Sequence, residues 1–156
     1  MNNEKFILVI ADDSKEMDVA LKYACARSKK TNRKIMIATF IEPLDVLTTQ
    51  GVTEIMQNEA REEAEKNIQY AASIVQDSTG LMPVLQIREG EIMKELKNLI
   101  DEEKNINVLV IAANVDENDN PGHIIDALVS KELSNFRVPV MIVPGNFSKD
   151  HIALIT

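Results

Sequence analysis

Five short apolar runs alternate with four longer stretches of helical periodicity, and that alternation leaves few architectures open. The runs are Lys5–Ala11 (KFILVIA), Lys34–Ile41 (KIMIATFI), Leu81–Arg88 (LMPVLQIR), Asn107–Ala113 (NVLVIAA) and Val138–Val143 (VPVMIV). They are nearly continuous in apolar character instead of alternating, as strands covered on both faces are. After the first run Met17, Ala20, Leu21, Ala24 and Ser28 recur at helical spacing. After the second, Ala64, Ile68, Ala71, Ala72 and Val75 form a stripe in a helix predicted from about Val52 to Asp77. Ile92, Met93, Leu96, Leu99 and Ile100 mark a third helix, and Ile124, Ile125, Leu128, Val129, Leu133 and Phe136 the buried side of a fourth. Right-handed crossovers with one reversal of winding then predict an α/β fold, a three-layer α/β/α sandwich on a five-stranded parallel sheet of order 3-2-1-4-5.

The punctuation agrees with that reading. Asp13 followed by Glu16 is a helix-start pattern, which assigns Asp13 as the cap of the first helix. Lys29, Lys30, Arg33 and Lys34 fall where that helix ends, and cations there complement its dipole. Pro43 biases Glu42 away from helix and opens a loop through Leu44. The run Glu59, Arg61, Glu62, Glu63, Glu65 and Lys66 reads as a solvated face with intrahelical pairs. Asn120 is placed to cap the fourth helix with Pro121 at its first position, where the missing N–H costs nothing. One domain over 1–145 is expected, followed by a tail, 146–156, whose apolar end HIALIT would pair as an extra edge strand or fray.

Charge and cysteine content exclude several classes. The formal net charge of −8 repels phosphate backbones and anionic lipid heads, so neither nucleic acid nor a membrane surface is expected as a partner. No apolar run approaches the roughly 20 residues of a membrane helix. The opening MNNEKF lacks the basic, apolar and small-residue succession of a signal peptide, so a soluble cytoplasmic protein is expected. Cys25 is the only cysteine; it is assigned to core packing, with no intramolecular disulfide and no cysteine metal cluster.

A ligand in such a fold sits where strand carboxyl ends meet helix amino ends, which places it along Asn107–Ser130. The predicted order brings Asp12 and Asp13 beside that loop. Phosphate would need close backbone approach, yet Ala112, Ala113, Val115, Asp116, Glu117 and Asp119 precede the single glycine, Gly122. Asp116, Asn118 and Asn120 alternate like calcium ligands, but Pro121 and Ala127 stand where a calcium loop needs glycine and glutamate. A loose divalent site from Asp12, Asp13 and Asp116 is the remaining metal reading. His123 and His151 lie far apart and suggest neither a triad nor zinc. No dinucleotide fingerprint and no nucleophile elbow is present.

The order of pieces resembles the universal stress protein family over nearly the whole chain up to Pro144. Ala11, Asp12, Asp13 and Ser14 stand where the family's first strand ends in Val-Asp-Gly-Ser, and Phe40, Ile41, Glu42 and Pro43 are similar to the end of its second. Gly90 matches a glycine before the third helix, Asn107–Ile111 is similar to Asp-Leu-Ile-Val-Met, and Pro139–Val143 to Pro-Val-Leu-Val-Val. The resemblance implies a Rossmann-like, adenine nucleotide alpha hydrolase-like fold, a homodimer and a role in stress response. Nucleotide-binding members carry Gly-x2-Gly-x9-Gly-Ser/Thr after strand 4. The corresponding residues here are Ala112, Val115, Asp126 and Ala127, with one extra spacer residue, and Asp126 would add a carboxylate where a triphosphate lies, with Lys131 the nearest lysine. The resemblance thus implies a degenerate loop with no cofactor. The alternative is ATP or AMP in the same crevice, held at Asp12, Phe40, Ala112 and Asn114.

Receiver domains share the layering, but Arg88 and then Pro144 and Gly145 stand where they need an aspartate and a lysine. No catalytic residue and no metal site is assigned. The expected protein is a non-enzymatic stress-response or binding module with an unnamed small-molecule ligand, dimerising through the edge of strand 5 (Val138–Val143). Its competitor is an adenine-nucleotide switch or weak ATPase.

Overall fold

The computed structural model describes residues 4–43, 50–116, 118 and 120–156, with the backbone alone at 50, 123 and 131. Glu117 and Asp119 of the predicted ligand loop, Leu44 after the second strand, and the side chains of His123 and Lys131 lie outside that description. Five strands, β1 (Phe6–Ile10), β2 (Lys34–Ile41), β3 (Val84–Glu89), β4 (Ile106–Ala113) and β5 (Val140–Pro144), form one sheet of order β3-β2-β1-β4-β5. Every pairing is parallel. The connecting helices are α1 (Met17–Thr31), α2 (Gln50–Thr79), α3 (Ile92–Glu102) and α4 (His123–Leu128), and α5 (Lys149–Ile155) follows the last strand.

The continuous apolar runs are explained by two cores. In β1, Ile7 and Val9 point into the α1/α2 side with Leu21, Ala24, Ile37 and Ile68. Leu8 and Ile10 point the other way and meet Met36, Leu96, Leu99, Leu109 and Leu128. A central strand that buries both faces has no position left for polar alternation. The stripe of α2 is buried as predicted, at Ala64, Ile68, Ala71, Ala72 and Val75.

Helix termination follows local chemistry. α1 ends at Asn32, whose φ of 56° is left-handed, a conformation asparagine tolerates better than most residues. Lys29 and Lys30 occupy its last turn. At the end of α3, Arg137 Nη2 donates to the carbonyls of Ile100 (2.6 Å), Glu103 (3.1 Å) and Ile106 (3.1 Å), joining the last turn of that helix to the approach to β5.

Four local expectations are corrected. The tail forms α5, not an edge strand: Ser148 Oγ accepts the His151 N–H at 3.1 Å, and the helix packs on α1 with Ile152 buried. His151 stacks edge-on against Phe147 at 4.6 Å. The acidic face of α2 is exposed, but Arg61 leaves the helix to pair with Glu89 of β3 at 2.7 Å. Asn120 and Pro121 do not start α4, which begins at His123 after Gly122. Finally, α4 stops at Leu128, and a 3₁₀ turn over Lys131–Asn135 changes the phase. Ile125 and Leu128 are therefore buried, whereas Val129 (69 % exposed) and Leu133 (46 %) leave the core. They line a groove of about 240 Å³ with Val140 and Ile142 on the β5 edge.

Cys25 is 1 % exposed, and burial pushes its thiol pKa up. Its reaction with a thiol reagent at mildly alkaline pH is expected to be at least about 100-fold slower in the native protein than in denaturant, since access requires opening of the α1 layer. Equal rates measured by absorbance would remove Cys25 from the core.

Candidate functional site

The carboxyl ends of β1, β2 and β4 open into a cavity of about 850 Å³. Its place follows from the winding: α1 and α2 leave one face of the sheet and α4 the other, so a crevice remains between β1 and β4. The floor is the ends of the strands, with Ile10, Ala11, Thr39, Phe40, Ile111 and Ala112. The turn after β1, one side of α2 and the entry to α4 form the walls.

Asp12 builds the first wall. Its Oδ1 accepts the Ser14 N–H at 2.9 Å and the Ser14 hydroxyl at 2.5 Å, while its own N–H donates to Met17 Sδ at 3.1 Å. This side-chain turn carries the chain away from β1, and α1 starts only at Met17, with Glu16 at the cap position and no side-chain cap. The predicted capping role of Asp13 is thus corrected. Asp12 holds the turn, and Asp13 is an exposed residue lining the cavity.

The second wall comes from the loop after β4. Asn114 Oδ1 accepts the Asp116 N–H at 2.9 Å, and the Asn114 N–H donates to the Pro121 carbonyl at 3.2 Å, closing the loop at its base. Because Pro121 is committed to that closure, the helix starts beyond it. Gly122 makes the bend with φ 128° and ψ 149°, a region essentially restricted to glycine, and it lines the cavity. No heavy atom lies within 4 Å of where its Cβ would be. The opposite side is fixed by Gly145, whose N–H donates to the Ala113 carbonyl at 2.8 Å beside Glu16.

Asp12, Phe40 and Ala112 therefore line the cavity, and Asn114 does not; its side chain shapes the loop instead. Of the four residues at the glycine-motif positions only Ala112 reaches the cavity. Val115 is exposed, and Asp126 faces solvent because Ile125 and Leu128 hold the opposite side of α4 against the sheet. The expected intrusion of Asp126 into the phosphate region is corrected accordingly. Asp116 also lies outside the lining, and among the described residues no three His, Cys, Asp or Glu side chains converge to hold a metal. Sequence reasoning missed Thr39, Glu42, Glu63 and Asn67 as lining residues. Glu63 and Asn67 are one helical turn apart and flank the buried Ala64, a pattern that marks the border of the apolar stripe.

The model of the universal stress protein family matches residues 5–144. The chain belongs to the universal stress protein family. Curated protein sequences give no match. Among solved structures it is similar to the universal stress protein UspA from Lactobacillus plantarum, at 14% identity and a TM-score of 0.74, covering 92% of this chain and 99% of that one. It is similar also to a universal stress protein in complex with cAMP, at 19% identity and a TM-score of 0.64, covering 93% and 100%. A third is the universal stress protein from Archaeoglobus fulgidus in complex with dAMP, at 12% identity and a TM-score of 0.60, covering 90% and 97%. At these identities the structural likeness establishes the fold, which is the family's three-layer sandwich with the predicted strand order. No helix among the described residues is long and apolar enough to cross a membrane.

Proposed function

We propose that this universal stress protein is a non-enzymatic, cytoplasmic stress-response module that holds a small organic molecule in the β1/β4 crevice and works as a homodimer through the β5 edge. The observation that carries the reading is the crevice itself: about 850 Å³, within the range of small-molecule pockets, floored by apolar strand ends, with Ala112 where the family's first motif glycine belongs. A Cβ at that point obstructs backbone approach to phosphate, so ATP is not expected to bind in the family's usual way. The non-enzymatic part is supported by the one hydroxyl–carboxylate pair among the described lining residues. Ser14 donates to Asp12 by both its N–H and its hydroxyl, which is a turn and not a nucleophile poised on a base.

A second reading, an adenine-nucleotide switch or weak ATPase using the same crevice, is favoured by two observations. Gly122 supplies a glycine-only bend at the rim, and two structural relatives are described as complexes with cAMP and dAMP. Denaturing the purified protein and chromatographing the released small molecules separates the readings. The expected result is no stoichiometric ATP or AMP; one equivalent of either would establish the second reading.

A further inference from the structure

We infer that the crevice selects its ligand by positive charge, taking an organic cation of nucleoside size, an amine carried on a flat apolar body. The inference rests on the reading of the crevice as a small-molecule site and names the class that site accepts. Among the described residues five carboxylates line it: Asp12, Asp13 and Glu16 from the turn after β1, Glu42 from the end of β2, and Glu63 from α2. No lysine or arginine is among the described lining residues, and no histidine side chain is described there. Arg61, two residues from Glu63, is engaged by Glu89 at 2.7 Å, and Arg88, near the end of β3, by Glu102 at 2.5 Å. Lys15, in the turn after β1, is exposed and outside the lining, and Glu42–Ala60 and Ala112–Ile125 contain no lysine or arginine.

An independent observation indicates that something polar is received at the bottom. Thr39 is 4% exposed and lines the cavity, yet its hydroxyl has no hydrogen-bond partner among the described residues. A hydroxyl that opens on the cavity and has no protein partner is available to a polar atom of a ligand. The surrounding floor of Ile10, Phe40, Ile111 and Ala112 accepts an apolar ring. Carboxylates around a low-dielectric floor focus a negative field into the space between, which attracts an ammonium group and repels a phosphate at the same point.

Calorimetric titration of the full chain with three probes that share one body and differ in charge tests this. They are 5′-amino-5′-deoxyadenosine, adenosine and AMP, each with and without magnesium. The amine is expected to bind at least about tenfold tighter than adenosine, and AMP at least about tenfold weaker, with the spread shrinking between about 50 mM and about 500 mM salt while adenosine stays constant. Asp13 and Glu63 are exposed, so the double substitution Asp13→Asn and Glu63→Gln leaves the fold intact. It is expected to cut the amine-to-adenosine ratio by about threefold or more. AMP binding as tightly as the amine, with or without magnesium, or a ratio untouched by the double substitution, would overturn the charge assignment while leaving the crevice as the site. Failure of all three probes at millimolar concentration would overturn the reading of the crevice itself.

Discussion

Gly145→Val is expected to lower the free energy of unfolding by about 3 kcal/mol, and Gly145→Ala by about 2 kcal/mol. A Cβ at this position would overlap the Ala113 carbonyl oxygen and sit 2.7 Å from the Glu16 Cβ. Neither atom is the free end of a side chain. Ala113 O is already held by the Gly145 N–H at 2.8 Å, and Glu16 Cβ is fixed by the start of α1, where the Glu16 carbonyl accepts from Val19 and Ala20. Relief therefore requires the ends of β4 and β5 to move away from α1, which disturbs the packing of the turn that Asp12 holds. Urea denaturation measures the loss as a shifted midpoint at unchanged slope. Gly51 is the control: nothing lies within 4 Å of its virtual Cβ, so Gly51→Ala is expected to cost nothing. A Gly145→Ala midpoint equal to that of the parent would mean that the three elements do not meet as closely as described.

The sheet and its order were legible because they rest on long-range hydrophobic pattern, which no single side chain decides. β2 was placed at its observed limits, Lys34–Ile41, and the α2 stripe residue by residue. What escaped the sequence was settled by hydrogen bonds between residues close in the chain but competing for the same groups. Both Asp12 and Asp13 are able to turn or cap the chain, and only the geometry shows Asp12 Oδ1 taking both donors of Ser14. Asn120–Pro121 has the signature of a helix start, and the Asn114 N–H overrides it by taking the Pro121 carbonyl. Val129 and Leu133 continue the spacing of Ile125 and Leu128, but that spacing has meaning only while the helix persists, and α4 has six residues. The cavity was located correctly by topology, whereas its acid lining came from three separate segments that no local motif joins.

Ile142→Lys is expected to raise the dissociation constant of the proposed homodimer by at least about 100-fold, converting a particle of twice the 17.5 kDa chain mass into a monomer at micromolar concentration. The sheet has two edges, and they differ in what they present. β3 carries Arg88 and Glu89, tied into ion pairs with Glu102 and Arg61, and charge on an edge discourages strand addition. β5 reads VMIVP, has no charged residue, and leaves Ile142 43% exposed. Beside it the shortening of α4 exposes Val129 and Leu133, so the unpaired backbone of β5 borders an apolar groove. Pairing β5 with its own copy about a two-fold axis satisfies the edge and covers the groove in one step. Ile142 is the middle residue of the strand, which puts it near that axis, so lysine there brings two like charges together in an apolar surrounding. Val84→Lys on the opposite edge is the control and is expected to leave the mass unchanged. Light scattering reads both; a parent protein that is monomeric at micromolar concentration, or a Val84→Lys protein that dissociates while Ile142→Lys does not, would remove β5 as the interface.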